Sequence, residues 1–383
     1  MRSALVGRMR PFTSSVFGEI SAVALARGAI DLGQGFPDYD GPEAMLDLAR
    51  SAIAEGMNQY SPADGHPALL RAVTGERARR LGSDYDPSGE ALVTAGATEA
   101  LTAAILALVE PGDEVVLIEP YYDSYAAAVA LAGARRRTVS LTPDGAGFAV
   151  DLDALRAAVT SRTSLLVVNS PHNPTGLVLS TGDLAAIADI ACEHDLLVLS
   201  DEVYERLVFP GGTHTSIASL PGMRERTIVV SGAAKTFNVT GWKIGWALAP
   251  ERLIDALRAT KQYLSFVPAT PFQPAVAYAL EYEDVWVAGQ RDALWHKYSL
   301  LSTALREAGY DVKRSAGGYF VCADVGGDGI EFCRRLPVTH GTAAIPVAAL
   351  ADTTRWNTFV RFAFCKRDET LRAAAARLVH SGR

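Results

Sequence analysis

Long hydrophobic runs are missing from this chain of 383 residues. Its most apolar windows, such as residues 100–109 and 165–168, are too short to cross a bilayer. The first residues, M-R-S-A-L-V-G-R-M-R-P, are basic but lack an apolar core of signal-peptide length. The net charge of −7 argues against a surface for nucleic acid or anionic membranes. We therefore expect a cytoplasmic protein that binds neither nucleic acid nor membranes.

Cysteine and histidine are scarce and scattered. The four cysteines stand at positions 192, 322, 333 and 365, without a Cys-x-x-Cys pair. The seven histidines include no His-x-x-x-His pair. Because metal sites need ligands at characteristic spacings, we expect no metal site. The cysteines are typical of reduced, mostly buried thiols in a cytoplasmic protein.

Lysine is also rare, with only six among 36 basic residues, at positions 235, 243, 261, 297, 313 and 366. Lys235 lies in the segment S-G-A-A-K-T-F-N-V-T-G-W-K-I-G (231–245), just after the apolar run T-I-V-V-S. A desolvated lysine can lose its proton and attack a carbonyl to form a Schiff base, which arginine cannot do. The alternative is an ordinary loop lysine between two strands, and the segment alone does not decide between them.

Short apolar segments alternate with helical patterns from about residue 90 to 250. Strands are predicted at 91–94, 114–119, 164–169, 196–201, 227–231 and 244–249. The intervening helices are predicted at 98–109, 124–132, 152–159 and 183–193. This alternation predicts an α/β fold whose central sheet is mostly parallel and covered on both faces. In such sheets, ligands bind at the carboxyl ends of the strands.

The flanking segments follow a different pattern. Residues 251–305 indicate long helices, and short strands follow at 318–323 and 358–364 before a last helix at 368–379. The first forty residues indicate a helix and an extended arm. We predict a large domain at 46–275, a small domain at 276–383, and an arm at 1–45 that contributes to the small domain.

Chemically useful side chains stand at the ends of five predicted strands. They are the helix start Gly96-Ala97-Thr98-Glu99, the tyrosines of P-Y-Y-D-S-Y (120–125), Asn173 of N-P-T-G, Asp201 with Tyr204, and Lys235. A helix start suits a phosphate, and a buried carboxylate needs a cation. Each feature also has a purely structural explanation, such as core packing. Together they predict a site for pyridoxal phosphate, which needs a lysine, a carboxylate, an aromatic face and a phosphate cradle.

The same motifs identify a family resemblance that covers nearly the whole chain. They are L-G-Q-G-F-P-D (32–38), N-Q-Y-S-P (58–62), N-P-T-G (173–176), D-E-V-Y (201–204), S-G-A-A-K-T-F (231–237), G-W-K-I-G (241–245) and V-R-F-A-F (360–364). The chain resembles class I/II aminotransferases of fold type I, which depend on pyridoxal 5'-phosphate. It is similar to the kynurenine/glutamine/methionine branch and most of all to actinobacterial N-succinyldiaminopimelate aminotransferases.

The resemblance implies roles for the residues that would contact the cofactor. Lys235 would be the Schiff-base lysine and proton shuttle, and Asp201 would pair with the pyridinium nitrogen. Tyr204 and Asn173 would contact the phenolate oxygen, and Tyr122, or Tyr121 if the alignment is one residue off, would stack on the ring. The phosphate would be held by Ala97, Thr98, Ser231 and Lys243, and by Tyr60 of a neighbouring subunit, which implies a homodimer with shared sites.

The resemblance also implies substrate contacts. Arg361 would bind the substrate α-carboxylate through a bidentate pair, with Asn173 beside it. Gly35 would approach the substrate through its backbone, and Phe266 would border the partner's substrate pocket. The expected activity is transfer of an amino group between an L-amino acid and a 2-oxo acid, of the N-succinyl-L,L-diaminopimelate type. Kynurenine-, glutamine- or methionine-type specificity, a specialised biosynthetic role, and a lyase or cyclase on the same fold remain alternatives.

Overall fold

The computed structural model describes residues 4–12 and 16–380. The outer limits of the predicted arm and small domain, residues 1 and 383, lie outside this range. Within it the α-helices are α1 (Val16–Arg27), α2 (Glu43–Ala54), α3 (Pro67–Leu81), α4 (Gly96–Leu108), α5 (Asp123–Ala132), α6 (Leu152–Ala158), α7 (Thr181–Glu193), α8 (Ala233–Thr236), α9 (Glu251–Lys261), α10 (Gln273–Tyr282), α11 (Asp284–Glu307), α12 (Gly329–Thr339) and α13 (Asp368–His380). None of them is long and apolar enough to cross a membrane.

The β-strands are short and fall into two larger sheets and two pairs. They are β1 (Ile30–Asp31), β2 (Ala91–Ala95), β3 (Glu114–Glu119), β4 (Arg135–Ser140), β5 (Thr142–Asp144), β6 (Gly147–Ala149), β7 (Thr163–Asn169), β8 (Leu197–Asp201), β9 (Thr227–Gly232), β10 (Ile244–Leu248), β11 (Asp311–Val312), β12 (Phe320–Asp324), β13 (Thr342–Ala343), β14 (Ile345–Pro346) and β15 (Phe359–Ala363).

The central sheet has seven strands in the order β2-β10-β9-β8-β7-β3-β4. Only β10 runs antiparallel to its neighbours, β2 and β9. The other pairings are parallel, so the predicted α/β class with a mostly parallel sheet is confirmed. The register aligns Asn169 of β7 with Asp201 of β8, and Asp201 with Val230 of β9. Polar strand ends therefore meet at one edge of the sheet.

The strand β4 is absent from the sequence prediction. Its segment, R-R-R-T-V-S, carries three successive arginines, and it pairs with β3 alone at the edge of the sheet. The side chains of β4 are mostly exposed or half-buried, whereas those of β2 at the other edge are almost all buried, so β4 lacks the apolar run by which buried strands are recognised. Hydrophobic periodicity identifies the buried strands and misses this one.

A second sheet, β11-β12-β15-β14, is antiparallel and forms the core of the C-terminal part. The N-terminal segment joins this part: β1 pairs with β13, and Glu19 of α1 pairs with Arg334 of α12 at 2.9 Å. Ile20 and Leu32 are buried in the same core as Leu301. From these contacts we propose that the arm contributes to a small domain.

The predicted limit between residues 275 and 276 falls within α10. Val276 and Leu280 of this helix are buried in one core with Leu69 and Val73 of α3. Since α3 covers the central sheet, α10 belongs with the large part of the molecule. We propose that the division lies after α10, near residue 283, rather than at 275.

A buried ion-pair network lies behind the end of β8. Arg77 of α3 donates to Glu202 and to Glu205, each at 2.8 Å, and all three side chains are at most 5% exposed. His214 and Ser216 contact the Glu202 carboxylate as well. Burial by itself would raise the pKa of Glu202, but Arg77 and His214 hold it below its usual range.

The two carboxylates and His214 place ligand atoms within 4.8 Å of one another, a separation that could hold a metal ion. Arg77 already supplies positive charge to both carboxylates, so we interpret the cluster as an ion-pair network. It fixes the turn that follows Asp201, because Glu202 is the next residue along the chain.

We predict that Arg77→Met lowers the free energy of unfolding by about 3–5 kcal/mol, because it leaves two buried carboxylates without their cation. Urea denaturation followed by circular dichroism measures this loss. Arg156→Met is the matched control, since it breaks a solvent-exposed ion pair with Glu193 and should leave the midpoint unchanged. Equal urea midpoints for Arg77→Met and the wild type would contradict the assignment of the network as stabilising.

Candidate functional site

A cavity of about 500 Å³ opens at the carboxyl ends of the central strands, between the two sheets. Ten of the residues predicted from the sequence line it: Gly35, Ala97, Thr98, Tyr122, Asn173, Asp201, Tyr204, Lys235, Lys243 and Arg361. They come from segments more than 300 residues apart in the chain. The strand register and the packing of the small sheet bring them together.

Lys235 stands on α8, a single helical turn directly after β9. Its Nζ donates to the carbonyl oxygen of Gly35 at 2.9 Å. Burial lowers the pKa of this amine to about 8, and the neighbouring cations Arg361 and Lys243 act in the same direction. A larger fraction of the amine is therefore neutral near pH 7 than for an exposed lysine, which favours nucleophilic attack.

Gly35 lies where a side chain could not fit. A Cβ at this position would be 2.3 Å from Cζ of Phe320. The absence of a side chain lets the arm pass between the Phe320 ring and Lys235. As a result, the Gly35 carbonyl reaches the lysine and borders the cavity.

Asp201 ends β8 and is 4% exposed. Its carboxylate accepts hydrogen bonds from the Tyr125 hydroxyl at 2.6 Å and from the Val203 amide at 3.3 Å. Burial raises the pKa of Asp201 to about 6, against these two hydrogen bonds. No basic side chain of the described residues forms an ion pair with it. The cation partner expected from the sequence is therefore not supplied as an ion pair by the described residues, and a cationic group of a ligand would fit beside this carboxylate.

A candidate anion site lies at the start of α4. The helix has no side-chain cap, so the first-turn amides of Ala97 and Thr98 are available to a ligand. Nζ of Lys243 approaches this turn, 3.0 Å from the position that a Cβ on Gly96 would take. No carboxylate of the described chain pairs with Lys243. Helix dipole, amides and ammonium together suit a phosphate.

Gly245 allows β10 to pass directly beneath this helix start. A Cβ on Gly245 would lie 2.4 Å from the carbonyl carbon of Gly96 and 2.5 Å from the nitrogen of Ala97. Because both neighbours are backbone atoms, they could not move aside without displacing the helix. Gly245, the second glycine of G-W-K-I-G, is therefore needed for steric reasons, because only a residue without a side chain fits beside the start of α4.

The two candidate tyrosines have different surroundings. Tyr122 lines the cavity, and its hydroxyl lies 3.3 Å from the hydroxyl of Thr98. Tyr121 points elsewhere and donates to Asp352 at 3.0 Å. Of the two, only Tyr122 can present an aromatic face to a ligand in the cavity.

Arg361 is held on β15, opposite Lys235 across the cavity. Its guanidinium donates to the Asn173 side chain at 3.1 Å and to the Gly33 carbonyl at 2.8 Å, and it lies 4.0 Å from the centre of the Phe320 ring. Its Nε is buried without a partner among the described residues. Burial lowers the pKa of Arg361, yet the group stays charged near neutral pH. A buried arginine without a carboxylate suits an anionic ligand.

Tyr204 lines the same side of the cavity, close behind Asp201. Its ring packs edge-on against Tyr319, with 5.4 Å between the ring centres. Burial raises the pKa of Tyr204 well above its usual value, so the phenol keeps its proton. It can donate a hydrogen bond to an oxygen anion in the cavity.

Three predicted residues do not line this cavity. Ser231 is 2% exposed, and its hydroxyl donates to the Glu202 carbonyl at 3.5 Å; Gly232 and Thr240 form the wall instead. The geometry therefore does not support a phosphate contact from Ser231, because the strand turns this side chain into the core. Tyr60 and Phe266 are 80% and 43% exposed and pack edge-on, with ring centres 5.4 Å apart.

The sequence analysis assigned no individual role to several lining residues, among them Asn169, Tyr125 and Asp123. A signal for Asn169 was present, since it is the polar residue that ends the apolar strand β7. Its side chain accepts from the Asn173 amide at 2.8 Å and so orients that loop. Tyr125 follows Tyr122 by three residues, which on a helix places both rings on one face.

The chain is similar to known proteins along nearly its whole length. The family model for aminotransferase class I and II matches residues 27–378. A protein of Mycobacterium tuberculosis named a probable N-succinyldiaminopimelate aminotransferase is 56% identical over 97% of both chains. The methionine aminotransferase of Escherichia coli is 39% identical over 95% of both chains.

Solved structures agree as well. The structure of N-succinyldiaminopimelate aminotransferase from Mycobacterium tuberculosis superposes with a TM-score of 0.97 at 56% identity, covering 99% of this chain and 100% of that one. The family resemblance and fold type predicted from the sequence are thus confirmed. From the family model and these relatives together, we conclude that the chain belongs to the class I and II aminotransferases.

Proposed function

We propose that this aminotransferase uses pyridoxal 5'-phosphate and works by a ping-pong mechanism. An L-amino acid leaves its amino group on the enzyme and departs as a 2-oxo acid, and a second 2-oxo acid then takes up the amine. The observation that carries the cofactor assignment is the Asp201 carboxylate, which is buried without an ion-pair partner among the described residues and lines the same cavity as the start of α4 and Lys235.

The residues present fit this cofactor. The amides of Ala97 and Thr98 together with Lys243 would hold the phosphate, and Asp201 would pair with the ring nitrogen. Tyr204 and Asn173 would contact the ring oxygen, and Tyr122 would stack on the ring. When bound, pyridoxal phosphate draws electron density away from the substrate α-carbon.

The protein's own groups supply positioning and proton transfer. Arg361 orients the substrate through its α-carboxylate, so that the α-carbon faces Lys235 across the cavity. The Lys235 amine, with its pKa lowered by burial to about 8, can accept and return the α-proton near neutral pH. Asp201 keeps the partner nitrogen protonated because a buried carboxylate stabilises an adjacent cation. The walls of the cavity limit access of water to these groups.

We propose N-succinyl-L,L-diaminopimelate and glutamate/2-oxoglutarate as the substrate pair. Support comes from the 56% identity over 97% of the M. tuberculosis protein, compared with 39% for the methionine aminotransferase and 35% for a mouse kynurenine transaminase. A function in amino-acid biosynthesis in the cytoplasm follows from this proposal. Other donors, and elimination or cyclisation in place of transfer, are outcomes that the donor screen below distinguishes.

A homodimer with shared sites is also proposed. The aromatic pair of Tyr60 and Phe266 is exposed beside Tyr263 and Leu264, which are 85% and 47% exposed. An exposed aromatic patch of this kind favours burial against another protein surface. A second copy of the chain, receiving Tyr60 at its phosphate and Phe266 at its substrate pocket, would cover it.

We predict that Lys235→Ala removes the visible absorbance of bound pyridoxal phosphate, because that absorbance requires the covalent link to the lysine amine. Spectra of the purified protein after addition of excess cofactor and gel filtration measure this. Lys313→Ala is the control, since Lys313 pairs with Asp311 at the surface of the small part. A visible band that persists in Lys235→Ala would disprove the assignment of this lysine.

Gly245→Ala should weaken cofactor binding by at least about tenfold, or about 1.4 kcal/mol, because the new Cβ displaces the start of α4. Titration of the dialysed protein with pyridoxal phosphate gives the dissociation constant. Gly241→Ala changes the same residue type four positions earlier, where an added Cβ meets nothing within 4 Å, and should bind normally. Equal affinities for the two variants would argue against a phosphate site at this turn.

A screen of amino donors, each added without a 2-oxo acid, tests the reaction and its substrate. We expect loss of the visible band and release of one equivalent of 2-oxo acid, fastest with N-succinyl-L,L-diaminopimelate. Kynurenine, glutamine and methionine should react more slowly by about tenfold or more. A faster reaction with one of these three would overturn the substrate proposal, and release of ammonia with pyruvate would indicate elimination instead of transfer.

A further inference from the structure

The helix that carries Lys235 is too short to satisfy its own backbone. In α8 (Ala233–Thr236), the amide of Phe237 bonds to the carbonyl of Ala233, and the later carbonyls lie at the open helix end. The carbonyl of Lys235 takes its hydrogen bond from outside the helix, from the hydroxyl of Tyr319 at 2.6 Å. Tyr319 is fully buried, so water does not compete for this bond.

Tyr319 also lies 3.0 Å from the side-chain oxygen of Asn238, and a phenol has only one proton to give. The short bond to Lys235 takes that proton. Nδ2 of Asn238 is buried without a partner, and turning this amide by 180° lets it donate to the Tyr319 oxygen. Asn238, at φ 56, is thereby held directly beyond the lysine helix.

The network continues to the N-terminal arm. The Gln290 amide of α11 lies 3.1 Å from the Asn238 oxygen position and 2.9 Å from the hydroxyl of Tyr39. When the Gln290 amide is turned in the same way, its oxygen accepts hydrogen bonds from the Tyr39 hydroxyl and from the Asn238 amide. The Asn238 amide also donates to the Tyr319 oxygen. Tyr319 in turn donates to the Lys235 carbonyl. This chain of hydrogen bonds therefore ends at the main-chain carbonyl oxygen of Lys235. Buried networks whose donors and acceptors match are rigid.

Tyr319 is also the residue that precedes β12, in the sheet that holds Arg361. The amide of Phe364 donates to the Tyr319 carbonyl at 2.9 Å, and β12 aligns Cys322 with Arg361 of β15. The next residue, Phe320, lies against the Arg361 guanidinium. The Lys235 main chain is therefore connected to Arg361 in two steps. The first is the hydrogen bond from Tyr319, and the second is the pairing of β12 with β15.

We propose that Tyr319, supported by Asn238 and Gln290, is a positioning residue that fixes the Lys235 main chain relative to the sheet that carries Arg361. It sets the distance between the amine that moves the proton and the group that holds the substrate carboxylate. This inference rests on the proposed functions of Lys235 and Arg361. Its effect can be large, since a misplacement of about 1 Å at a reacting group can slow a reaction about a hundredfold.

The test uses the holoenzyme of Tyr319→Phe, which loses one hydroxyl and little volume. We expect the pH midpoint of the visible cofactor absorbance to rise by about half a unit or more, because the linked lysine nitrogen is better hydrated when its main chain is looser, and hydration favours its protonated form. In steady-state turnover with an amino donor and a 2-oxo acid, kcat should fall by about tenfold while KM changes by less than about twofold, since substrate contacts remain intact. Asn238→Gly, which keeps the left-handed backbone but removes the amide, should shift the midpoint in the same direction.

Tyr298→Phe is the matched control. Tyr298 is a buried tyrosine of the same core whose hydroxyl accepts a bond from the Ser315 amide, remote from Lys235. It should keep the wild-type midpoint and kcat. The inference is overturned if Tyr319→Phe shifts the midpoint by less than about 0.1 unit and keeps kcat within about twofold. It is also overturned if Tyr298→Phe produces the same changes.

A lower unfolding temperature in Tyr319→Phe without a change in the midpoint would indicate a structural role only, and would likewise overturn the inference. The Lys235→Ala spectrum separates this result from failure of the proposed function. If the visible band persists in Lys235→Ala, the lysine assignment itself fails. If the band is lost there but Tyr319→Phe behaves as wild type, the positioning inference alone fails.

Discussion

The Asp201 carboxylate is buried at the end of β8 with two neutral donors and no ion-pair partner among the described residues, and the organisation of the proposed site depends on this imbalance. Lys243 and Arg361 likewise form no ion pair within the described chain, so three charges around the cavity are left without a direct partner. A ligand with one cationic and two anionic groups would supply the missing partners of these three charges. Glu202, the adjacent residue, is in contrast fully paired with Arg77. The protein therefore stabilises the turn through Glu202, whereas Asp201 keeps no ion-pair partner among the described residues, as the proposed cofactor site requires.

Burial of Lys235 carries a related cost in stability. Its pKa in the folded chain, about 8, is below the ordinary 10.5, so the unfolded chain binds more protons between these two pH values. Stability contributed by this group therefore rises as pH increases from 8 to 10.5, and below pH 8 the full penalty of about 3 kcal/mol applies. The ion pairs and hydrogen bonds around the site offset a penalty of this kind. A lysine selected for stability alone would be exposed or paired.

The sequence predicts those parts of the fold and site that depend on local pattern. Apolar strands followed by polar residues mark β7, β8 and β9, and the motif order brings Lys235, Asp201 and Asn173 to one edge. What it cannot predict depends on packing between distant segments. The direction of the Ser231 side chain is one case, and the network of Tyr319, Asn238 and Gln290 is another, because those three residues lie up to 81 positions apart. The edge strand β4 was missed because its side chains are mostly exposed or half-buried, whereas those of the other edge strand, β2, are almost all buried and form an apolar run.

Lys261 shows how the same packing bears on assembly. It is 1% exposed, and its ammonium donates to the carbonyls of Ala63 and Phe266, neither of which carries a charge. A buried cation without a carboxylate is unfavourable, and Phe266 adopts φ 61, a conformation that is strained for phenylalanine. The Lys261 hydrogen bonds and the Phe266 backbone conformation together hold the segment of Tyr60 against the segment of Phe266. As a result, the two aromatic rings face outward side by side. Strain maintained to expose aromatic side chains is of use only if another surface receives them, which supports the proposal of a shared site between two copies of the chain.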